Sequence, residues 1–365
     1  MLYYQDQRYN FVEFFNQHNG TLMRSNIIRN GIETEEEPHM RSFPELIDIG
    51  VMGTCYAGLS GLCKNAGVDC YQNATINQRS NMSFEHYQKI ISQCKHKTFQ
   101  VALGGAGDPN KHKNFRDILK ITREQNIVPN LTTSGYELLD EEIAAMREYC
   151  GAVAVSYYSN LNRNGNETNP TTIQAINRLI GSGCTTNIHY VISKSNIDEA
   201  IFRLENNLFP HDINAIIFLL YKPVGLASKE KMLTAQDTKY IKFIKLATGR
   251  KYKYKIGFDS CQTPAILNFC PYVAKESLEF CEAARFSMYI DCDLKAYPCS
   301  FGHSFNNYSI DLTKTSVENA WNSNEFELFR KNQKDICNDC SQINCRNCAF
   351  DLGINVCGKI HKNKS

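Results

Sequence analysis

Cysteine is the residue type in this sequence whose number and spacing point most clearly to chemistry. The chain has 16 cysteines among 365 residues; three lie between Cys55 and Cys70, and ten lie between Cys261 and Cys357. Thiolates bind soft transition metals and iron–sulfur clusters, whereas isolated cysteines usually pack as small hydrophobic residues. The clustering therefore predicts metal ligands in two regions. The three scattered cysteines are predicted to be packing residues: Cys94, Cys150 and Cys184.

The first group, Cys55, Cys63 and Cys70, lies in a glycine-rich segment that follows a predicted strand. Three thiolates can hold three irons of a [4Fe–4S] cluster and leave the fourth iron open for another ligand. Glycines allow the backbone to wrap closely around such a group. Zinc is the alternative, although zinc loops favour two-residue gaps and a fourth ligand nearby.

The second group contains two CxxC pairs separated by four residues, which strongly indicate metal binding. They are Cys337 with Cys340 and Cys345 with Cys348, and Cys357 follows. The preceding segment, CEAARFSMYIDCDLKAYPCSF, predicts a β-hairpin with Cys281 and Cys299 at its ends. Cys292 lies next to a turn and is expected to pack. Two zinc sites remain an alternative to iron–sulfur clusters.

Short apolar segments alternate with amphipathic segments between residues 46 and 257, which predicts repeated βα units and a parallel sheet. The predicted strands are 46–52, 99–103, 127–132, 152–156, 186–192 and 214–220. The predicted helices are 83–94, 114–125, 140–149, 170–180, 197–208 and 234–248. Six units are too few for a closed eight-stranded barrel, so an open partial barrel is expected, with its chemistry at the carboxyl ends of the strands.

A second glycine-rich loop, VALGGAGDPNKH, follows the second predicted strand. Its backbone amides and carbonyls could contact a small polar ligand. Residues 1–45 predict a mixed preamble whose acidic run, 33–37, is a solvated loop.

Composition excludes several classes of function. The net charge of +2 offers few contacts to nucleic-acid phosphates or an anionic membrane. No apolar run approaches the length of a spanning helix, and the N-terminal residues show no signal peptide. We therefore expect a cytoplasmic protein whose thiols are kept reduced.

Taken together, these motifs resemble radical S-adenosylmethionine enzymes with a C-terminal auxiliary-cluster domain called SPASM. In that family, three loop cysteines bind a [4Fe–4S] cluster whose open iron chelates S-adenosylmethionine. A Gly-Gly-Glu-Pro-like loop after the second strand contacts the methionine amino group. The segment from Gly104 to Pro109 matches this loop, with Asp108 in place of the usual glutamate. One departure is the cysteine spacing: the family usually has gaps of three and two residues, whereas the gaps here are seven and six.

The resemblance implies an α/β fold with a partial (β/α)6 TIM-like barrel over 46–257, a preamble over 1–45 and a SPASM domain over 258–365. It implies that Cys55, Cys63 and Cys70 hold the first cluster. Cofactor contacts are implied for Gly104, Gly105, Gly107, Asp108 and Ser156. Two auxiliary [4Fe–4S] clusters are implied, one held by Cys281, Cys299, Cys348 and either Cys261, which is preferred, or Cys270. The other is held by Cys337, Cys340, Cys345 and Cys357.

The implied reaction is reductive cleavage of S-adenosylmethionine to a 5′-deoxyadenosyl radical, which then modifies a peptide or protein side chain. An external electron donor such as flavodoxin or ferredoxin is implied. The leading prediction is maturation of a ribosomally made peptide. Oxidation of a sulfatase cysteine or serine to formylglycine is the alternative, although those enzymes carry an aspartate where this chain has Ser300. His303 is a weak candidate for the catalytic base. A non-enzymatic zinc-binding protein is a third interpretation.

Overall fold

The computed structural model describes residues 1–334, 348–350 and 352–358, so Cys337, Cys340 and Cys345 lie outside the described residues. The described chain begins with five short strands: β1 (Leu2–Asp6), β2 (Phe11–Phe15), β3 (Leu22–Arg24), β4 (Ile28–Arg29) and β5 (Ile32–Glu33). The first three form an antiparallel sheet, and the last two form a separate hairpin. The sequence predicts only a mixed preamble here, because such short strands show too few alternations to be recognised.

Seven parallel strands form the centre of the molecule: β6 (Leu46–Met52), β7 (Gln100–Gly105), β8 (Val128–Thr133), β9 (Val153–Ser156), β10 (Thr186–Ile192), β11 (Ala215–Leu220) and β12 (Lys255–Phe258). Three further strands follow: β13 (Ser287–Ile290), β14 (Lys295–Tyr297) and β15 (Ile310–Asp311). Together they form one ten-stranded sheet in the order β12-β11-β10-β9-β8-β7-β6-β13-β14-β15. The predicted α/β fold with a mostly parallel central sheet is confirmed.

The helices connect these strands. They are α1 (Tyr56–Leu59), α2 (Leu62–Asn65), α3 (Phe84–Gln93), α4 (Phe115–Glu124), α5 (Asp140–Tyr149), α6 (Pro170–Gly181), α7 (Ile197–Asn206), α8 (Thr238–Gly249), α9 (Thr263–Phe269), α10 (Val317–Trp321) and α11 (Asn324–Lys334). In the described ranges, no helix has the length and apolar character needed to cross a bilayer.

The predicted βα alternation corresponds to β6–β11 and α3–α8, with boundaries that differ by a few residues at most. The sequence does not predict β12, whose four residues include Lys255 and Gly257 and therefore lack an apolar run. This strand lies at the edge of the sheet, where burial demands little of its composition.

The parallel sheet has one apolar face and one polar face. In β10, Ile188 and Ile192 are fully buried, whereas His189 between them remains partly accessible on the opposite face. Polar side chains on that second face bond between neighbouring strands, as where Asn130 Nδ2 donates to Gln100 Oε1 at 3.0 Å. Helices cover the apolar face, and the polar face lines the inside of the partial barrel, where a ligand can be held.

The C-terminal hairpin extends the central sheet. β13 and β14 pair antiparallel with Ile290 opposite Ala296, as the sequence predicts. β13 also pairs in parallel with β6, with Ser287 opposite Leu46. The strand that precedes the first cysteine loop is therefore hydrogen-bonded directly to the C-terminal hairpin.

A buried ion network holds the N-terminal sheet in place. Glu13 on β2 is fully buried, with its Oε2 2.7 Å from Nε of Arg41 and its Oε1 2.9 Å from Nε of Arg24. The Arg41 guanidinium lies 3.6 Å from the centre of the Tyr4 ring. Arg24 also lies 3.0 Å from the Glu45 carboxylate, whereas Glu13 is the one carboxylate paired with Arg41 among the described residues.

Replacing that carboxylate by an amide should destabilise the protein. We expect Glu13→Gln to lower the free energy of unfolding by about 3–5 kcal/mol, because it leaves buried guanidinium charge unpaired. Glu36→Gln is the matched control; Glu36 pairs with Arg29 at an exposed site, and its loss should cost less than about 1 kcal/mol. Denaturant unfolding of the two variants measures the difference. Equal losses of unfolding free energy would show that Glu13 does not compensate a buried charge.

Candidate metal centre

The loop after β6 places the first three cysteines by folding its extra residues into two helical turns. Cys55 caps α1, and its Sγ accepts a hydrogen bond from the Gly58 amide at 3.1 Å. Gly61 adopts a φ of +82° between α1 and α2, which redirects the chain into the turn that carries Cys63. The seven-residue gap is therefore an ordered structure rather than an open loop.

The end of this loop is anchored to the segment that follows β11. The Asp69 carboxylate accepts a hydrogen bond from the Tyr221 hydroxyl at 2.6 Å and lies 2.7 Å from Nζ of Lys231. The Leu226 amide donates to the Cys70 carbonyl at 3.0 Å. These contacts fix the backbone on both sides of Cys70.

The thiols of this loop share one electrostatic environment. Burial, together with the nearby charges of Asp108, Cys63 and Cys70, raises the pKa of the Cys55 thiol to about 12. Burial also raises the pKa of Cys63, to which the charge of Cys70 adds. Cys55 and Cys63 therefore need a cationic partner to become thiolates, and iron is such a partner.

The loop after β7 packs against the first cysteine loop through a glycine. A Cβ atom on Gly107 would lie 2.3 Å from the Thr54 carbonyl oxygen and 3.2 Å from Cα of Cys55. Gly104, at the end of β7, has open space beside its Cα. Asp108 accepts hydrogen bonds from the amide and hydroxyl of Ser134, the amide at 2.8 Å. The position of this loop thus depends on the loop after β8.

Ser156 lies at the end of β9, and the Tyr158 amide donates to the Ser156 carbonyl at 3.0 Å. Burial raises the pKa of Tyr158, and the charges of Cys63, Asp108 and Cys55 raise it further. Tyr158 therefore stands beside the cysteine loop, together with the loops after β7 and β9. Sequence reasoning did not single it out, although it lies only two residues beyond Ser156.

The four predicted ligands of one auxiliary cluster line a cavity of about 230 Å³. They are Cys261, Cys281, Cys299 and Cys348. They come from the turn after β12, the two sides of the β13–β14 hairpin and the C-terminal segment. Burial raises the pKa of Cys299 well above its usual range, and the charges of Cys348, Cys281 and Cys261 raise it further.

Cys261 and Cys270, the two candidates for the fourth ligand of this auxiliary cluster, have different surroundings. Cys270 is fully buried in the core, where its sulfur accepts a hydrogen bond from the Thr248 hydroxyl at 3.3 Å. Only Cys261 lines the cavity. Cys357 lines the same cavity, whereas the other three predicted ligands of its cluster lie outside the described residues. Cys292 is buried, with its thiol beside Arg79.

The two cysteine regions touch each other. The Tyr71 ring, next to Cys70, lies 5.1 Å from the Phe301 ring, and Gln72 Nε2 donates to the Ser300 carbonyl at 3.4 Å. His303 lies in this junction with Nδ1 3.0 Å from the Ser300 carbonyl oxygen, and burial lowers its pKa. The junction connects the loop of Cys70 with the loop of Cys299.

The donor set of the cavity matches the chemistry of an iron–sulfur cluster. Four cysteines that line one cavity are the ligand type and number that a [4Fe–4S] cluster uses, and each thiolate binds a different iron. Within residues 1–334, 348–350 and 352–358, no three His, Cys, Asp or Glu side chains are close enough to hold one metal ion.

Comparison with known proteins adds an independent finding. Residues 281–349 match SPASM, an iron–sulfur cluster-binding domain. This part of the chain is a SPASM domain. It holds Cys281, Cys299, both CxxC pairs and the hairpin that extends the central sheet. No curated protein matches the sequence.

Solved structures share the fold of the chain. SuiB from Streptococcus suis bound to S-adenosylmethionine is 16% identical, with 84% of this chain and 72% of SuiB covered at a TM-score of 0.64. SuiB bound to its precursor peptide SuiA is also 16% identical, with 78% and 66% covered at a TM-score of 0.58. The protein anSMEcpe with AdoMet and Cp18Cys peptide is 13% identical, with 79% and 83% covered at a TM-score of 0.58. The resemblance drawn from the sequence is confirmed in its fold and in its SPASM domain.

The close approach at Gly107 yields a test of the first site. We expect Gly107→Ala to displace the loop of Cys55, because the new methyl group would meet backbone atoms that cannot move independently. Anaerobically reconstituted Gly107→Ala protein should contain about four fewer irons per chain than the parent. Gly104→Ala is the matched control, because its methyl group would enter open space and the iron content should stay unchanged. Full iron content in Gly107→Ala would contradict this packing argument.

Asp48 yields a pH-dependent prediction. It lies on β6 and lines the SPASM cavity, and burial raises its pKa from 3.8 to about 7. The folded protein then holds this proton more tightly than the unfolded chain, so ionisation costs stability as the pH rises from about 4 to about 7. Asp48→Asn should remove this cost, which amounts to up to about 4 kcal/mol above neutral pH.

Unfolding measured near pH 5.5 and near pH 8 tests this sign. Asp48→Asn should stabilise the protein more at the higher pH. Asp198→Asn, at an exposed carboxylate paired with Lys239, should shift stability equally at both pH values. An Asp48→Asn effect that does not change with pH would show that the carboxyl titrates normally.

Proposed function

We propose that this protein is an enzyme that cleaves S-adenosylmethionine reductively and modifies a side chain of a peptide or protein by radical chemistry. The observation that carries the proposal is that Cys55, Cys63 and Cys70 lie with the loops after β7 and β9 at the carboxyl ends of the parallel strands. This end of the sheet adjoins the SPASM domain through the junction of Tyr71 and Phe301.

The chain's residues have distinct roles in this proposal. The three loop cysteines would hold the first cluster, and the auxiliary clusters would be held by the cysteines of the SPASM region. When bound, the first cluster and S-adenosylmethionine would supply a 5′-deoxyadenosyl radical that removes hydrogen from an unreactive C–H bond. The backbone at Gly104 and Gly105 would contact the methionine end of the cofactor, and Asp108 holds that loop through its hydrogen bond with Ser134.

Ser156, at the end of β9, and Tyr158, which lies beside the cysteine loop, would also contact the cofactor. Neither residue carries charge near neutral pH, so both would act by hydrogen bonding and by excluding water. The polar inner face of the sheet continues this surface toward Asp48 and the SPASM cavity.

A peptide or protein substrate is supported by what the similar proteins bind. SuiB has been solved with the precursor peptide SuiA, and anSMEcpe with the Cp18Cys peptide. In this chain, a substrate side chain could reach the inner face of the barrel beside the SPASM cavity.

We favour peptide maturation over formylglycine formation in a sulfatase. The residue after the hairpin cysteine is Ser300, and a hydroxyl is a poor base near neutral pH. Its carbonyl is engaged by Gln72 and His303 at the junction. His303 is the nearby candidate base; burial lowers its pKa, so its ring is neutral near pH 7.

The proposal includes an external electron donor such as flavodoxin or ferredoxin, because the reductive step needs electrons that the chain does not supply. It also includes a cytoplasmic location. A reducing compartment keeps the 16 cysteines as thiols available to bind iron.

Replacing the first three cysteines tests the proposal directly. Anaerobically reconstituted Cys55→Ala/Cys63→Ala/Cys70→Ala protein, given reductant and S-adenosylmethionine, should form no 5′-deoxyadenosine, because no open iron remains to bind the cofactor. Cys184→Ala is the matched control. Cys184 precedes β10 and therefore lies at the amino end of the strands, so this variant should retain parent activity. Release of 5′-deoxyadenosine by the triple variant would overturn the proposal.

A further inference from the structure

Lys222 is a buried cation in the cavity lined by the auxiliary cysteines. It follows β11, is only 6% exposed, and lines the same cavity as Cys261, Cys281, Cys299 and Cys348. Its Nζ donates to the Leu220 carbonyl at 3.0 Å and forms an ion pair with Asp259. It also lies 4.7 Å from the centre of the Phe301 ring, which is two residues beyond Cys299. A lysine is almost never buried so fully unless its charge is paired.

The positive end of this ion pair faces the sulfur atoms. The Lys222 charge acts to lower the pKa of Cys261, Cys281 and Cys348. Asp259 also lines the cavity, and its charge acts in the opposite sense on Cys261. Of the two partners, Lys222 is the one whose charge acts on all three of these thiols, so the ammonium group is the charge that the cysteine set shares.

Stability alone does not account for this arrangement. A buried ion pair contributes little net stability compared with apolar residues of similar size, because both charges lose their hydration. Four thiolates that hold an iron–sulfur cluster carry net negative charge, and each added electron increases it. A fixed cation on the cavity wall compensates that charge, and net charge and surroundings set the reduction potential of a cluster.

We propose that Lys222 raises the reduction potential of the auxiliary cluster held by Cys261, Cys281, Cys299 and Cys348. The inference rests on the proposed function, because it requires that cluster to be present. The one-electron reduced cluster carries one more negative charge than the oxidised cluster, so the ammonium group stabilises the reduced form more strongly. Lys222 would thereby help this cluster to accept an electron.

Redox titration followed by electron paramagnetic resonance tests the proposal. Full-length protein carrying Cys55→Ala/Cys63→Ala/Cys70→Ala is reconstituted anaerobically, so that no signal arises from the first cluster. Adding Lys222→Met, which keeps the length of the side chain but removes its charge, should shift one auxiliary signal to a more negative potential. Lys222→Arg, which keeps the charge, should titrate close to the parent.

Lys239→Met is the matched control, because it removes a lysine from an exposed ion pair with Asp198 and should shift no signal. Loss of about four irons in Lys222→Met that Lys222→Arg restores would support the proposal, since the charge is then needed to hold the cluster. An unchanged potential at full iron content would overturn it, as would equal iron loss in both variants. Absence of any auxiliary cluster in the parent protein would instead refute the proposed function, and this inference with it.

Discussion

Strand β6 is hydrogen-bonded on both sides, and the rest of the structure depends on this constraint. On one side Leu46 pairs with Gln100 of β7, and on the other it pairs with Ser287 of β13. The first pairing positions the loop of Cys55 against the glycine-rich loop, and the second joins the SPASM hairpin to the same sheet. A one-residue slip in either pairing would turn every side chain of the strand to the opposite face. The separation between the two cysteine regions is therefore set by backbone pairing rather than by flexible linkers.

The burial of the thiols links folding to metal binding. Burial raises the pKa values of Cys55, Cys261, Cys281, Cys299 and Cys348, so without a cation these thiols stay protonated. Metal binding then releases protons, and its free energy also stabilises the folded chain. The Lys222–Asp259 pair adds fixed charge to the auxiliary cavity, whereas the first loop lacks a buried lysine among the contacts described for it. The two cysteine regions thus present different electrostatic surroundings to chemically similar groups.

The sequence predicted the features that periodicity and spacing encode. The βα alternation, the hairpin around Ile290 and the position of the first cysteine loop follow from local patterns that the structure shares. Two features could not be predicted: the N-terminal sheet and edge strand β12. Each depends on contacts between residues far apart in the chain, as where Arg41 pairs with Glu13. Tyr158 was missed for the same reason: its proximity to Cys55 and Cys63 joins residues that are far apart in the chain.

The wide spacing of the first three cysteines is compatible with a single binding site on energetic grounds. Closing a gap of seven residues rather than three slightly more than doubles the loop length, which costs about 0.6–0.8 kcal/mol. The second gap, six residues rather than two, adds about 1 kcal/mol by the same relation. The ordered turns of α1 and α2 and the two hydrogen-bonded contacts of Asp69 offset a cost of this size. The positions of the sulfur atoms, rather than the number of residues between them, therefore decide whether they share one cluster.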